Sequence, residues 1–250
     1  MRAEEVLTKV TVPLSAPPYP LGRYRFTDRE YLNVFYRTSL SALRSIVPEP
    51  LEIDEPLVRF EVMHMGDVGG FGPYTEAGIA VPVRFGEERG EYLHAMYLDN
   101  FPAIACGREL SAYPKSFGTA KLFADSGALV GTLDVGSLRV ATATMGYKHC
   151  VLSAEEALRQ ITVPTYMVKI VPGYDARPRI AELVRAQITD VTVTQAWSGP
   201  ARLQLFEHVL APLADLPVLE VVSASHIVAD LTLAGAVPVH DYVSSSVGSA

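Results

Sequence analysis

The commonest pattern along the chain is alternation of apolar and polar positions. VRFEVMHM (58–65), EAGIAVPVRF (76–85) and EYLHAMYL (91–98) read as strands, parted by the Gly-rich turns GDVGGFGP and GEERGE. TAKLFA (119–124), ALVGTLDV (128–135) and LRVATATMGY (138–147) continue the pattern, as do TYMVKIVP (165–172), AQITDVTVTQAWSG (186–199) and VLEVVSASHIVADLTL (218–233). Three segments follow a helical spacing instead. From Asp28 to Ile46 the apolar positions Tyr31, Val34, Phe35, Leu40, Leu43 and Ile46 fall roughly on one helical face, with Asp28 as N-cap and Val47-Pro48 as the stop. SAEEALRQI (153–161) reads as a short helix capped by Ser153, and LQLFEHVLAPL (203–213) as another helical piece. Residues 1–22, rich in Pro and small side chains, read as an extended arm, and 243–250 as a disordered tail.

Many strands without long helices between them argue against a βαβ sheet. The expected fold is α+β: a largely antiparallel β-barrel or cone with a few helices packed around it. No repeat, linker or composition break divides the chain, so one domain over residues 1–250 is expected.

Composition narrows the function. Of 250 residues, 49% are apolar and 20% charged, enough for a real core and too apolar for disorder. The net charge of −7 comes with no basic block, which makes nucleic acid or an anionic membrane a poor partner. The opening MRAEEVLTKVTVPLS has no leader-like apolar run, and no stretch approaches the roughly 18 apolar residues of a membrane span, so a cytoplasmic protein is expected. Cys106 and Cys150 are too few for a disulfide framework and are expected as buried, reduced thiols. There is no GxGxxG, no GK[ST] and no GxSxG; the six histidines show no metal-ligand spacing, so no metal is expected.

Chemistry is concentrated in PAIACGRELSAYPKSFGTAKL, where an apolar, strand-like segment enters a charged turn and then Tyr113-Pro114-Lys115. The chain has sixteen Arg and only five Lys, 21 together, and only an amine can shed its proton near neutral pH. Pro114 fixes its own φ and biases Tyr113 toward extended backbone, so Lys115 stands on a rigid stub between an aromatic ring and the small Ser116 and Gly118. Burial there would favour the neutral, nucleophilic amine. Spacing alone favours the plainer alternative, a surface lysine whose stem lies over Tyr113.

The same stretch resembles the acetoacetate decarboxylase family, and the likeness runs along nearly the whole chain. DREYLNVFYRTSLSALRSIVPEPLEIDEPLVRFEV, PYTEAGIAVPV, GEYLHAMYLDNFPAIACGRELSAYPKSFG, LVGTLDVGSLRVATATMGYKH, PTYMVKIVPGYD, ITDVTVTQAWSGPARLQLF and SASHIVADL match in order. The resemblance implies decarboxylation of acetoacetate, a small β-keto acid, to acetone and CO2 without an external cofactor. It implies that Lys115 forms a Schiff base and that Arg29, Glu61 and Glu76 line the pocket. On that reading Arg29 meets the substrate carboxylate partially or through Glu76, Glu76 positions the Lys115 amine, and Glu61 completes the polar end. Phe26, Met96 and Tyr113 are expected as apolar walls. A large homo-oligomer is implied as well, with residues 10–22 as a candidate for wrapping a neighbour.

One position departs from the pattern. The best-known members carry a second lysine directly after the Schiff-base lysine, a neighbouring cation commonly credited with activating it. Here that position is Ser116. Successive side chains of an extended strand point to opposite sides, so burial is expected to activate Lys115 without that neighbour. Two other functions remain open: a Schiff-base aldolase-dehydratase of the same fold, and a non-catalytic barrel that binds small acids.

Overall fold

The computed structural model describes residues 1–247. Twelve strands form one sheet, ordered 150–151, 188–198, 220–233, β1 (Tyr24–Arg37), β2 (Leu57–Val68), β3 (Tyr74–Phe85), β4 (Glu88–Leu98), 165–172, 178–186 and 237–241. Two short strands branch from this order: 52–53 pairs with β3, and β5 (Lys115–Phe117) pairs with β4. Pairing is antiparallel except where β4 meets β5 and Thr165–Tyr166. A second antiparallel sheet holds 201–205, 138–146, 128–135 and 119–125. The α+β class agrees with the expectation. The barrel does not: among the described residues the outermost strands, 150–151 and 237–241, do not pair with each other, so the large sheet stays open.

Both faces of the large sheet are covered. Leu32, Val34, Tyr36, Val58, Phe60 and Val62 pack with Leu129, Leu133, Val140 and Met145 of the small sheet. On the opposite face Tyr31, Met63, Met65 and Met96 form a second apolar cluster with Ile161, Met167 and Ile227. β1 therefore carries apolar side chains on both sides, and its run YLNVF loses the two-residue period of a half-exposed strand. That is why Asp28–Ile46 mimics helical spacing. Only Leu40–Arg44 is helical, capped by Ser39, whose Oγ accepts from the Ala42 N–H at 3.1 Å. Asp28 caps nothing: it has φ 50°, sits in the β1 bulge between Phe26 and Arg29, and donates its N–H to Asp230 Oδ1 at 2.9 Å.

Four smaller expectations also change. LQLFEHVLAPL is not helical: Ala201–Leu205 is a strand on the edge of the small sheet, its alternate residues Ala201 and Leu203 buried, and only Leu213–Asp215 forms a 3-10 turn. The apolar run PAIACG is a helix, Phe101–Cys106, started by Asn100, whose Oδ1 accepts from the Ala103 N–H at 3.0 Å. The tail is helical over Tyr242–Val247, while 248–250 lie outside the described residues. Cys106 is a buried thiol, but Cys150 is exposed. The helix Ala154–Ile161, capped by Ser153, forms where the periodicity put it.

The N-terminal segment is not a free extended arm. It includes a helical turn, Ala3–Val6, and folds back on its own chain. Thr11 and the buried Tyr19 donate hydroxyl hydrogen bonds of 2.7 and 2.5 Å to Glu109, in the turn that leads to Lys115. At the start of β4, Glu88 ties three strands together. Two hydrogen bonds of 2.8 Å from Arg185 and another from Tyr166 hold its carboxyl down at about 2. Among the described residues no helix is long and apolar enough to cross a membrane.

Candidate active site

Lys115 enters the apolar interior because β5 docks in parallel beside β4, with Lys115 opposite Met96. Pro114 O accepts from the Met96 N–H at 3.1 Å, and Arg108 donates to Lys115 O at 3.0 Å, so the backbone on both sides is tied. The residue is 7% exposed. Its Nζ lies 3.0 Å from Glu76 Oε2 and 5.6 Å from the ring centres of Tyr74 and Tyr113. The Nζ–Oε2 approach is too poorly aligned to count as a hydrogen bond, so it is a close ionic contact that leaves Oε2 free to accept.

Glu76 comes from β3, opposite Met63, and also faces Arg29, whose Nη2 is 3.9 Å from its Oε1. Arg29 follows directly on the β1 bulge. Its guanidinium lies 4.8 Å from the Tyr31 ring centre and 5.2 Å from that of Phe26, and its Nη2 touches Met63 Sδ at 2.8 Å. Burial alone would lower its pKa, but the Glu76 and Glu61 carboxylates help hold it above the usual value, so it stays a fixed cation. Its Nε is buried with no hydrogen-bond partner. Burial also raises the hydroxyls of Tyr31, Tyr74 and Tyr113 above the usual phenol range, which keeps them neutral.

Arg59 closes the far end. It sits two residues before Glu61 on β2, donates to that carboxylate and to Glu91 on β4, and reaches Asn33 Oδ1 at 3.3 Å. Burial pushes the Glu61 carboxyl up against the opposing pull of Arg59. The result is a buried row of alternating charge: Lys115, Glu76, Arg29, Glu61, Arg59, Glu91. All of it but Glu91 borders a cavity of about 80 Å³, with Phe26, Met96 and Tyr113 in its walls. At roughly 10–15 Å³ for one water, that space suits a small acid of half a dozen non-hydrogen atoms. Beyond Lys115, a smaller cavity of about 30 Å³ is bordered by Phe71, Ala103 and Cys106.

Seven residues expected at a site therefore meet around one cavity: Lys115, Glu76, Arg29, Glu61, Phe26, Met96 and Tyr113. Ser116 does not. It is exposed on the opposite face of β5. Arg59, Glu91, Tyr31 and Tyr74 went unpredicted. The signal for Arg59 was available, since alternation in VRFEVMHM puts it on the face of Glu61. Glu91 had no such signal, because its partner lies on another strand. Among the described residues, no three His, Cys, Asp or Glu are grouped to hold a metal ion.

The acetoacetate decarboxylase family model matches residues 11–243. An acetoacetate decarboxylase of Clostridium acetobutylicum is 62% identical over 243 residues, covering 97% of this chain and 100% of its own length. A solved acetoacetate decarboxylase structure at 62% identity superimposes with a TM-score of 0.95, over 97% of this chain and 99% of the other. The acetoacetate decarboxylase structure from Legionella pneumophila is similar at 41% identity and a TM-score of 0.89, over 93% of this chain and 94% of its own.

Proposed function

The chain belongs to the acetoacetate decarboxylase family, and from this premise we propose that Lys115 is the amine through which it converts acetoacetate to acetone and CO2. The observation that carries the assignment is a 7%-exposed lysine whose Nζ lies 3.0 Å from a buried carboxylate, beside a cavity of small-acid size. The amine attacks the ketone, water leaves, and a protonated imine forms β to the substrate carboxylate. Breaking the C–C bond sends its electron pair into that imine, giving CO2 and an enamine. Protonation at carbon and hydrolysis then release acetone and regenerate the amine. No external electron sink is needed.

Charge explains the surroundings. The reacting species carries a cation at the imine and an anion at the carboxylate, and both charges vanish as CO2 departs. Apolar walls that exclude water favour that neutralisation. Phe26, Met96 and Tyr113 supply such walls. Glu76, at 3.0 Å, is placed to take up and return the proton that Nζ must exchange. Arg29, a cation that lines the cavity, offers its guanidinium to the incoming carboxylate. Glu76 already engages that cation at 3.9 Å, so the grip stays partial and does not overstabilise the leaving group. Glu61 closes the polar end and keeps the row of charges continuous. The smaller cavity beyond Lys115 takes the ketone methyl.

Borohydride reduction in the presence of acetoacetate tests the assignment. The expected result is a stable mass increment confined to the peptide carrying Lys115, with CO2 released from acetoacetate alone. CO2 release that requires a second carbonyl substrate would favour the aldolase-dehydratase reading. Absence of any adduct would leave only acid binding.

Ser116 points away from the cavity, so the rate should not depend on a charge there. Ser116→Lys is expected to keep kcat/KM within about threefold from pH 5 to 8, with an unshifted pH–rate profile. A gain of orders of magnitude at neutral pH would show that the neighbouring cation matters.

A further inference from the structure

The helix Phe101–Cys106 passes through Gly107 into a π-type turn, Gly107–Ser111, which returns the chain to Lys115. We propose that Gly107 is a positioning residue for the Schiff-base amine: its missing side chain is the notch in which the Lys115 stem lies. This rests on Lys115 being the reacting amine.

Backbone conformation gives no reason for a glycine here. Gly107 has φ −60° and ψ −42°, ordinary right-handed helix that any residue adopts, and glycine is the least favourable residue there apart from proline. Five residues on, Ala112 takes φ 78°, the left-handed region where glycine is preferred. The chain thus has glycine where the backbone does not ask for it and alanine where it does.

Space is what Gly107 supplies. A Cβ at this position would lie 2.8 Å from Lys115 Cδ and 3.0 Å from Cε, with Tyr113 Cβ at 3.4 Å. Carbon atoms in contact normally keep about 3.5–4.0 Å. The two close approaches are to the lysine stem itself. The surrounding backbone is tied, because the Tyr113 N–H donates to Gly107 O at 2.9 Å and Arg108 holds Lys115 O at 3.0 Å. An added methyl therefore displaces the stem and carries Nζ away from its place 3.0 Å from Glu76. A lysine side chain has many rotamers to lose on burial, and the notch selects the one that reaches the cavity.

Gly107→Ala in the full-length protein should lower kcat for acetoacetate by about 100-fold, the effect of misplacing a reacting atom by roughly 1 Å. The borohydride trapping rate should fall in parallel. Inhibition by 3-hydroxybutyrate, an acid with no ketone to condense, should change by less than about threefold, because Arg29 and the Phe26 and Met96 walls are untouched. A melting cycle provides a readout independent of turnover. In a Lys115→Ala background, Gly107→Ala should raise Tm through its better helix propensity, whereas beside the native lysine it should not. A variant that folds only when Lys115 is truncated would also support the notch. The proposal is overturned by retention of kcat within about threefold, by an equal rise in Tm in both backgrounds, or by failure to fold in both. If the wild type forms no adduct with acetoacetate, the assignment of Lys115 fails, while the melting cycle still reports on the notch.

Discussion

Lys115→Met is expected to lower kcat/KM for acetoacetate decarboxylation by at least about 10⁴-fold, a loss of roughly 5.5 kcal/mol of transition-state stabilisation. Methionine keeps an unbranched stem of similar volume in the Gly107 notch and removes only the amine. Without an amine there is no imine, so the departing electron pair has no cationic sink and the reaction returns to its uncatalysed route. The fold should survive, because Glu76 still faces Arg29 at 3.9 Å. Stopped assays of CO2 release, set beside far-UV circular dichroism, check both halves. Retention of more than about 1% of wild-type kcat/KM by a folded Lys115→Met protein would remove Lys115 from the mechanism.

The largest effect on stability is expected at Arg59. It is 8% exposed and lies between Glu61 and Glu91, which are 4% and 5% exposed, and it donates to both. Arg59→Met leaves two carboxylates in the interior without their shared cation. Breaking a buried ion pair in this way costs about 3–5 kcal/mol, or roughly 6–20 °C in Tm for a chain of this size. The deficit should depend on pH, with a sign fixed by Glu61. Burial already holds the folded Glu61 carboxyl above its ordinary value, and loss of Arg59 raises it further. A group raised on folding stabilises fully below its unfolded value, near 4.5, and loses that contribution as pH rises through the folded one. The gap between variant and wild type should therefore be smallest near pH 4.5 and widen toward pH 8. Thermal melts across that range decide it: a loss below about 1 kcal/mol, or a gap that narrows as pH rises, would mean that Arg59 does not hold the acids in place. Replacing Glu61 and Glu91 by Gln in the same protein should recover much of the loss, since neutral amides need no cation.

Strands with one partly exposed face were legible because their apolar positions alternate, and the segments 128–135 and 165–172 have the bounds that alternation assigned. β1 was misread for the opposite reason. With Leu32, Val34 and Tyr36 buried on one face and Tyr31 on the other, the run has no polar side to mark its period. The edge strand Ala201–Leu205 was hidden because five residues are too few to tell strand from helix when pairing with another segment decides the outcome. At the site, the Tyr113-Pro114-Lys115 stub could be read locally, and the resemblance then linked it to Arg29, Glu61 and Glu76. Arg59 and Glu91 form a pair 32 residues apart, and nothing along the chain announces a contact at that separation.

By itself the sequence determined the α+β class, the family and the identity of the candidate amine, because periodicity, a proline-stiffened stub and matching segments are all properties of order along a chain. Only the tertiary structure decided that the large sheet stays open and that the N-terminal segment folds onto Glu109. It alone brings six charges from β1 to β5 into one buried row and sets Gly107 beneath the lysine stem. Those features depend on which strands lie side by side and which faces become buried. Such choices minimise exposed apolar surface and unpaired charge over the whole molecule, and no window of sequence contains both partners.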